Sequence, residues 1–244
     1  NRENQMVDVV LGYDNIRQYA DTVNSPSDFG ATIGRYANRI NKGKVTIAGQ
    51  EYQLAVNNFG HSLHGGPSGW QYQVYDATQV DDQTLKLTIV SPDGDNGFPG
   101  TVTATATYKL TENNILDCTF EATTDKETII NMCNHSYFTL TGNPGQPGTD
   151  MVLYVNADKF TPSDSTYMTT GEVRDVYGTP MDFNKKRPLY ECIGDTSFVQ
   201  IKNANGFDHN WCLNTYKDGK GDDKRVAASL YSPNTGIFLE VFTN

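Results

Sequence analysis

The sequence predicts an all-β protein built as a large antiparallel β-sandwich. Short segments alternate between polar and apolar residues, which is typical of strands with one buried face. Loops rich in Gly, Pro, Asn and Asp separate these segments, and no helix longer than two turns is predicted. We treat residues 1–244 as a single β-sandwich domain, because sandwiches of this size often form one domain.

The predicted strands follow the chain in order. An apolar segment at 6–11 comes first, and a polar loop follows it. Residues 29–40 hold two glycines and two arginines and do not make an amphipathic helix. A hairpin is predicted within 44–54 around an Ala-Gly-Gln turn. Alternation predicts the remaining strands at 72–75, 85–90, 101–108, 115–122, 128–138, 151–155, 207–213, 226–231 and 237–242.

The loop at 91–100 contains an Asp-x-Asp-x-Gly pattern that resembles part of a calcium-binding loop. A calcium loop of the EF-hand type needs a glutamate at its twelfth position, and Ala104 stands there. This segment is therefore interpreted as a tight turn between strands.

Composition narrows the function classes. The chain is 37% hydrophobic and 20% charged, which is typical of a globular protein with a sizeable core. A net charge of −10 argues against nucleic acid or an anionic membrane surface as a partner. No apolar run is long enough to span a bilayer. The four cysteines are widely spaced without a zinc-binding pattern, so we expect small buried apolar groups.

Four histidines, His61, His64, His135 and His209, all lie beside Asn, Asp, Ser or Gly. Histidine exchanges protons near neutral pH, so histidines in polar surroundings indicate a candidate site. Asp208, Arg39 and Asn38 add hydroxyl acceptors and donors, and the set favours a ligand rich in hydroxyl groups. Each residue alone also fits a structural role.

Two further side chains each fit both a ligand-binding role and a structural role. Arg35, like Arg39, is suited either to a carboxylate or sugar hydroxyl group or to a structural ion pair. Trp70 lies in a Gly-rich loop and fits either stacking on a sugar ring or packing in the core.

Six segments of the chain form a recognisable set: Phe29–Ile40, Asn57–Gly66, Ser91–Gly100, Asn134–Phe138, Phe207–His209 and Leu239–Thr243. In this order they resemble the aldose 1-epimerases, also called galactose mutarotases. The resemblance extends over nearly the whole chain and implies the galactose mutarotase-like supersandwich fold. It also implies interconversion of the α and β anomers of free aldoses such as galactose and glucose.

The resemblance also implies roles for individual residues. Asn38, Arg39 and His64 match sugar-binding positions, and Asp208 matches an aspartate that holds sugar hydroxyls. His135 matches the general acid, which protonates the ring oxygen while a base takes the anomeric proton. No metal or cofactor is needed for this chemistry.

The family's general base is a glutamate downstream of the Leu239–Thr243 segment, and we expect it beyond Asn244. Glu240 does not match that base. The chain is therefore interpreted as incomplete at both ends. Two alternatives stay open: a non-catalytic sugar-binding protein on the same fold, and a hexose-6-phosphate 1-epimerase. We expect a monomer or a weak dimer with a small aldose as its ligand. The sequence slightly favours the cytoplasm as the compartment, and the periplasm and secretion stay open as alternatives.

Overall fold

The computed structural model describes residues 1–21 and 28–244, so part of the polar loop predicted after Leu11 lies outside the described residues. The described chain divides into two compact units. The first unit is Gly12–Ser136, and the second unit combines Asn1–Leu11 with Tyr137–Asn244. Every pairing between named strands in the described residues is antiparallel, and the all-β class is confirmed.

The first unit consists mainly of short strands around one four-stranded sheet. The sheet has the strand order β6-β7-β8-β9, while β1 pairs with β10, β2 with β5 and β3 with β4. Its elements are α1 (Ile16–Ala20), β1 (Thr32–Ile33), β2 (Arg39–Ile40), β3 (Lys44–Ile47), β4 (Gln50–Gln53), β5 (Ser62–Leu63), β6 (Asp76–Asp81), β7 (Thr84–Ser91), β8 (Val102–Leu110), β9 (Leu116–Thr124) and β10 (Cys133–Asn134).

Alternation along β8 gives the first unit its core. Val102, Ala104 and Ala106 are fully buried at every second position, as a strand with one buried face requires. Val102 and Ala104 pack with Trp70 and Ile89. The hairpin of β3 and β4 also matches its prediction, although the turn is only Ala48 and Gly49, both with positive φ.

The second unit holds two sheets of its own. Their strand orders are β14-β11-β16-β17 and β13-β12-β15. Phe160, Phe183 and Met181 are buried in its core, and the Trp211 indole N–H donates to the Met181 carbonyl at 3.0 Å. The elements are β11 (Val152–Val155), β12 (Lys159–Thr161), β13 (Arg174–Asp175), β14 (Arg187–Pro188), α2 (Val199–Ala204), β15 (Asn210–Cys212), β16 (Ala228–Tyr231) and β17 (Phe238–Val241).

Three predicted strands are wrong in extent. Residues 6–11 form a single bridge, Val10 to Phe138, and residues 72–75 begin inside a 3-10 turn, Trp70–Tyr72. Within 128–138 only β10 and two single bridges, at Asn131 and Phe138, pair with a neighbour. None of the three segments is fully buried, and Met6 and Val74 are almost completely exposed. Their apolar residues therefore do not report a strand with one buried face.

A close backbone contact sets the position of the loop after β5. A Cβ atom placed on Gly65 would lie 2.1 Å from the Gly34 carbonyl oxygen, and one on Gly34 would lie 1.9 Å from the Trp70 ring. Both positions therefore need glycine. Trp70 is 1% exposed, so its core-packing interpretation is confirmed and the sugar-stacking interpretation is wrong.

Replacing Gly65 with alanine is expected to destabilise the protein far more than replacing Gly60. Both glycines have a φ of +82°, but a Cβ on Gly60 meets nothing within 4 Å. Both variants carry the strain of a left-handed L-residue, about 1 kcal/mol. Gly65→Ala adds a backbone clash that costs at least about 2 kcal/mol more. Denaturant unfolding of both variants measures the difference, and equal losses would contradict the contact.

Candidate functional site

The candidate site lies in the first unit and starts where β2 pairs with β5. Arg39 is opposite Leu63 in this pairing, so Asn38 and His64 lie next to each other at its end. The His64 N–H donates to the Asn38 carbonyl at 3.2 Å. The Asn38 N–H in turn donates to Nδ1 of the His64 ring at 3.0 Å. Asn38 has a φ of +67°, a left-handed conformation that asparagine tolerates better than most residues.

This backbone donor determines the proton position on His64. Because Nδ1 accepts a hydrogen bond, the neutral ring must carry its proton on Nε2. The pKa of His64 is lowered to about 4, chiefly by burial and further by the positive charges of His135 and Arg39. At neutral pH His64 is therefore an uncharged ring that offers an Nε2–H donor.

Two asparagines hold the neighbouring groups in place. The Asn58 side-chain oxygen accepts from Nε and Nη2 of Arg39, at 3.0 Å and 2.8 Å. The Asn57 amide accepts from the Leu63 N–H at 2.7 Å and donates to the Leu63 carbonyl at 3.0 Å. The sequence reasoning did not assign these two roles, although both residues belong to the Asn57–Gly66 segment that it singled out.

His135 follows β10, which pairs with β1, and reaches the same place from another part of the chain. Its ring centroid is 5.1 Å from that of His64, and the two rings are at 80° to each other. The His135 N–H donates to the Ala31 carbonyl at 2.9 Å. The structure thus brings Asn38, Arg39, His64 and His135 into one cluster in the first unit.

Arg35 has a purely structural position. It is 1% exposed and donates to the Ser91 hydroxyl at 2.9 Å and to the carbonyls of Ser91, Pro92 and Pro99 at 3.0, 2.8 and 2.9 Å. Burial lowers the pKa of Arg35, while the nearby Asp95 favours its charged form. Arg35 therefore holds the 91–100 loop through neutral oxygens, which differs from the predicted ion pair.

Asp208 belongs to the second unit and is exposed there. Its backbone N–H donates to Nδ1 of His209 at 3.2 Å, so the neutral His209 ring donates from Nε2 to the Gln200 side-chain oxygen, 3.1 Å away. Burial lowers the pKa of His209, and the Asp208 charge acts in the opposite direction. His209 is thus held within its own unit, while the Asp208 carboxylate stays open to solvent.

Other features of the described residues do not extend this cluster. A cavity of about 510 Å³ in the first unit is lined by residues that include Trp70, Ser91 and Asp95, and the four clustered residues are not part of its wall. In residues 1–21 and 28–244 no group of three or more His, Cys, Asp or Glu side chains is arranged to hold a metal ion. Over the same ranges, no helix has the length and apolar character needed to cross a bilayer.

The relatives found by comparison with known proteins agree with one another in their described activity. A family model described as aldose 1-epimerase matches residues 1–244. The galactose mutarotase of Sus scrofa is 36% identical over 242 residues, which cover 99% of this chain and 66% of that protein. The aldose 1-epimerase of Escherichia coli K12 is 35% identical over 215 residues, covering 88% of this chain and 60% of that protein. The chain thus spans less than two thirds of the length of these curated relatives.

Solved structures show the same fold. The galactose 1-epimerase of Lactobacillus acidophilus is 31% identical and superposes with a TM-score of 0.80, over 93% of this chain and 64% of that one. An aldose epimerase homologue from C. elegans is 27% identical with a TM-score of 0.81, over 96% of this chain and 67% of that one. The predicted mutarotase-like fold class is confirmed.

We expect the His64 imidazole to stay neutral until the pH approaches about 4. The folded protein binds fewer protons than the unfolded chain between that pH and 6.5, because burial disfavours the charged ring. The resulting stability is present above pH 6.5 and is lost as the pH falls through about 4, by up to roughly 3 kcal/mol.

Nitrogen-15 spectra of the imidazole rings over this pH range measure both the tautomer and the titration. A His64→Gln variant identifies the His64 resonances by their loss. A His64 ring that carries its neutral proton on Nδ1, or that titrates near 6.5, would contradict the assigned hydrogen bond.

Proposed function

Because the chain belongs to the aldose 1-epimerase family, we propose that the protein interconverts the α and β anomers of free aldoses such as galactose and glucose. The proposal is supported mainly by a pair of neighbouring histidines in the first unit. His64 is a neutral ring with a fixed donor, and the His135 ring lies 5.1 Å from it. One histidine can therefore bind a hydroxyl group while the other transfers a proton.

Anomer exchange needs only proton transfers and rotation about one bond. In the proposed reaction His135 donates a proton to the ring oxygen while a base takes the proton from the anomeric hydroxyl. The bond between C1 and the ring oxygen breaks, and C1 becomes an aldehyde carbon. After rotation, the reverse transfers close the ring on the other face. A histidine suits this cycle because it can act as acid in one direction and as base in the other.

The proposed binding groups are complementary to sugar hydroxyls. His64 donates from Nε2, Arg39 is oriented by Asn58, and Asn38 contributes an exposed amide. In the second unit, Asp208 offers an exposed carboxylate that can accept hydroxyl protons. The buried Arg35 donates all its assigned bonds to protein oxygens, so it is not available to bind a substrate.

Polarimetry with α-galactose and α-glucose tests the proposed activity on protein expressed from its complete reading frame. We expect accelerated mutarotation, and we expect His135→Asn to lower kcat by about 10²–10⁴-fold, because a general acid contributes that much. His61→Asn is the matched control. His61 is a buried histidine whose Nδ1 accepts from the Lys42 N–H, so its loss should lower Tm and leave kcat within about twofold.

Two results would contradict this proposal. Saturable sugar binding without accelerated mutarotation would indicate a sugar-binding protein on the same fold. Equal kcat values for His135→Asn and the wild-type protein would remove His135 from the acid role.

Asp208→Ala tests the proposed hydroxyl acceptor separately. We expect KM for the aldose to rise about tenfold, since one charged hydrogen-bond acceptor is lost. Tm should change little, because the Asp208 side chain is exposed. Asp223→Ala, which removes another exposed carboxylate of the second unit, controls for net charge. A drop in Tm with an unchanged KM would show that Asp208 has only a structural role.

A further inference from the structure

The main chain of His135 is held at both of its polar groups. Its N–H donates to the Ala31 carbonyl at 2.9 Å, and its carbonyl accepts from the Gly30 N–H at 3.2 Å. In the adjoining pairing of β10 with β1, Asn134 is opposite Thr32. These bonds involve backbone atoms alone, so they place the His135 main chain but do not by themselves determine where its imidazole points.

The Asn134 side chain closes a turn around His135. Its Oδ1 atom accepts from the Ser136 N–H at 2.9 Å. A hydrogen bond between an asparagine side chain and the N–H two residues later forms an Asx-turn. His135 is the central residue of this turn, so the turn restrains the His135 backbone dihedral angles, and these angles decide which side-chain rotamers are allowed.

The Tyr108 hydroxyl holds the other end of the Asn134 amide. Nδ2 of Asn134 donates to this hydroxyl over a long 3.4 Å, and the Thr32 hydroxyl lies 2.6 Å from it. Only the amide oxygen can accept from the Ser136 N–H, so both amide contacts require the same orientation of the Asn134 side chain. Thr32 is buried, so its contact with the phenol is shielded from water.

The phenol belongs to the four-stranded sheet of the first unit. On β8, Tyr108 is paired on both sides, with Leu85 of β7 and with Cys118 of β9. A second phenol, that of Tyr75, donates to the Thr32 carbonyl at 3.3 Å, and its ring packs against the core of this sheet. A residue on a strand that is paired on both sides has little freedom, so the sheet fixes the place of the Tyr108 hydroxyl.

We propose that Asn134, anchored by the Tyr108 hydroxyl, is a positioning residue that aims the His135 imidazole at the ring oxygen of the aldose. This inference rests on the proposed function, in which His135 protonates that oxygen. Proton transfer requires donor and acceptor within hydrogen-bond reach, and a displacement of about 1 Å can cost about 10²-fold in rate. Neither Asn134 nor Tyr108 needs to touch the sugar.

Two substitutions at position 134 test the turn by polarimetry, on protein expressed from its complete reading frame. Asn134→Ala removes both amide contacts, and we expect kcat per folded molecule to fall about tenfold with KM within about twofold. Asn134→Ser keeps a hydroxyl that can accept from the Ser136 N–H more weakly. It should restore kcat to within about threefold of the wild-type value.

The orientation of the imidazole is measured separately, by NMR without sugar. Three-bond couplings from Cγ of His135 to its backbone nitrogen and carbonyl carbon report the χ1 angle. We expect a single rotamer in the wild-type protein and an average over rotamers in Asn134→Ala. A loss of stability alone does not change χ1 in the folded molecules, so this measurement separates positioning from a merely structural role.

A variant of the anchor and a matched control complete the experiment. Tyr108→Phe keeps the ring and removes the hydroxyl, and it should lower kcat about threefold because the lost bond is long. Asp81→Ala removes another Asx-turn, in which Oδ1 of Asp81 accepts from the Gln83 N–H at the same 2.9 Å. It should leave kcat and the His135 rotamer unchanged, whatever its effect on Tm.

The two proposals fail in different ways. The positioning role requires a lower kcat together with an averaged χ1 in Asn134→Ala. Either change without the other, or a lower Tm with neither, would overturn it. A wild-type protein that does not accelerate mutarotation would instead overturn the proposed function, and the χ1 couplings would still decide whether Asn134 orients His135.

Discussion

The candidate site depends on one backbone contact, the approach of Gly65 to the Gly34 carbonyl. This contact lays the loop after β5 against the segment that leads into β2, at a separation that excludes any side chain. The pairing of β2 with β5 holds the same two segments together and places Asn38 beside His64. Arg35, next to Gly34, extends it to the 91–100 loop. The sugar-binding candidates thus sit on a framework of main-chain contacts.

Within that framework, two histidines of the same chemistry acquire different properties. His64 is buried and has its Nδ1 occupied by a backbone donor, which removes it from proton exchange at neutral pH. His135 is bound through its own backbone to the loop that precedes β1. Environment, and not residue type, therefore separates a binding histidine from a proton-transferring one in this proposal.

Much of the fold was predictable from the sequence, because period-two alternation reports burial on one face of a sheet. β7, β8 and β9 and the hairpin of β3 and β4 follow from it. Apolar segments that pack without a ladder, such as 128–138, were mistaken for strands. The cluster of His64 and His135 came from family motifs, since spacing alone does not place them together.

The donor that fixes the His64 tautomer is the peptide N–H at position 38. This limits which substitutions at position 38 can change the tautomer. Every amino acid except proline carries that group, and the φ of +67° at this position is one that proline cannot adopt. Mutations that change the Asn38 side chain and keep the backbone conformation therefore leave the proton on the same nitrogen of His64. The backbone conformation at position 38 therefore sets the tautomer of His64. Comparing the side chains of related sequences at this position does not reveal that role.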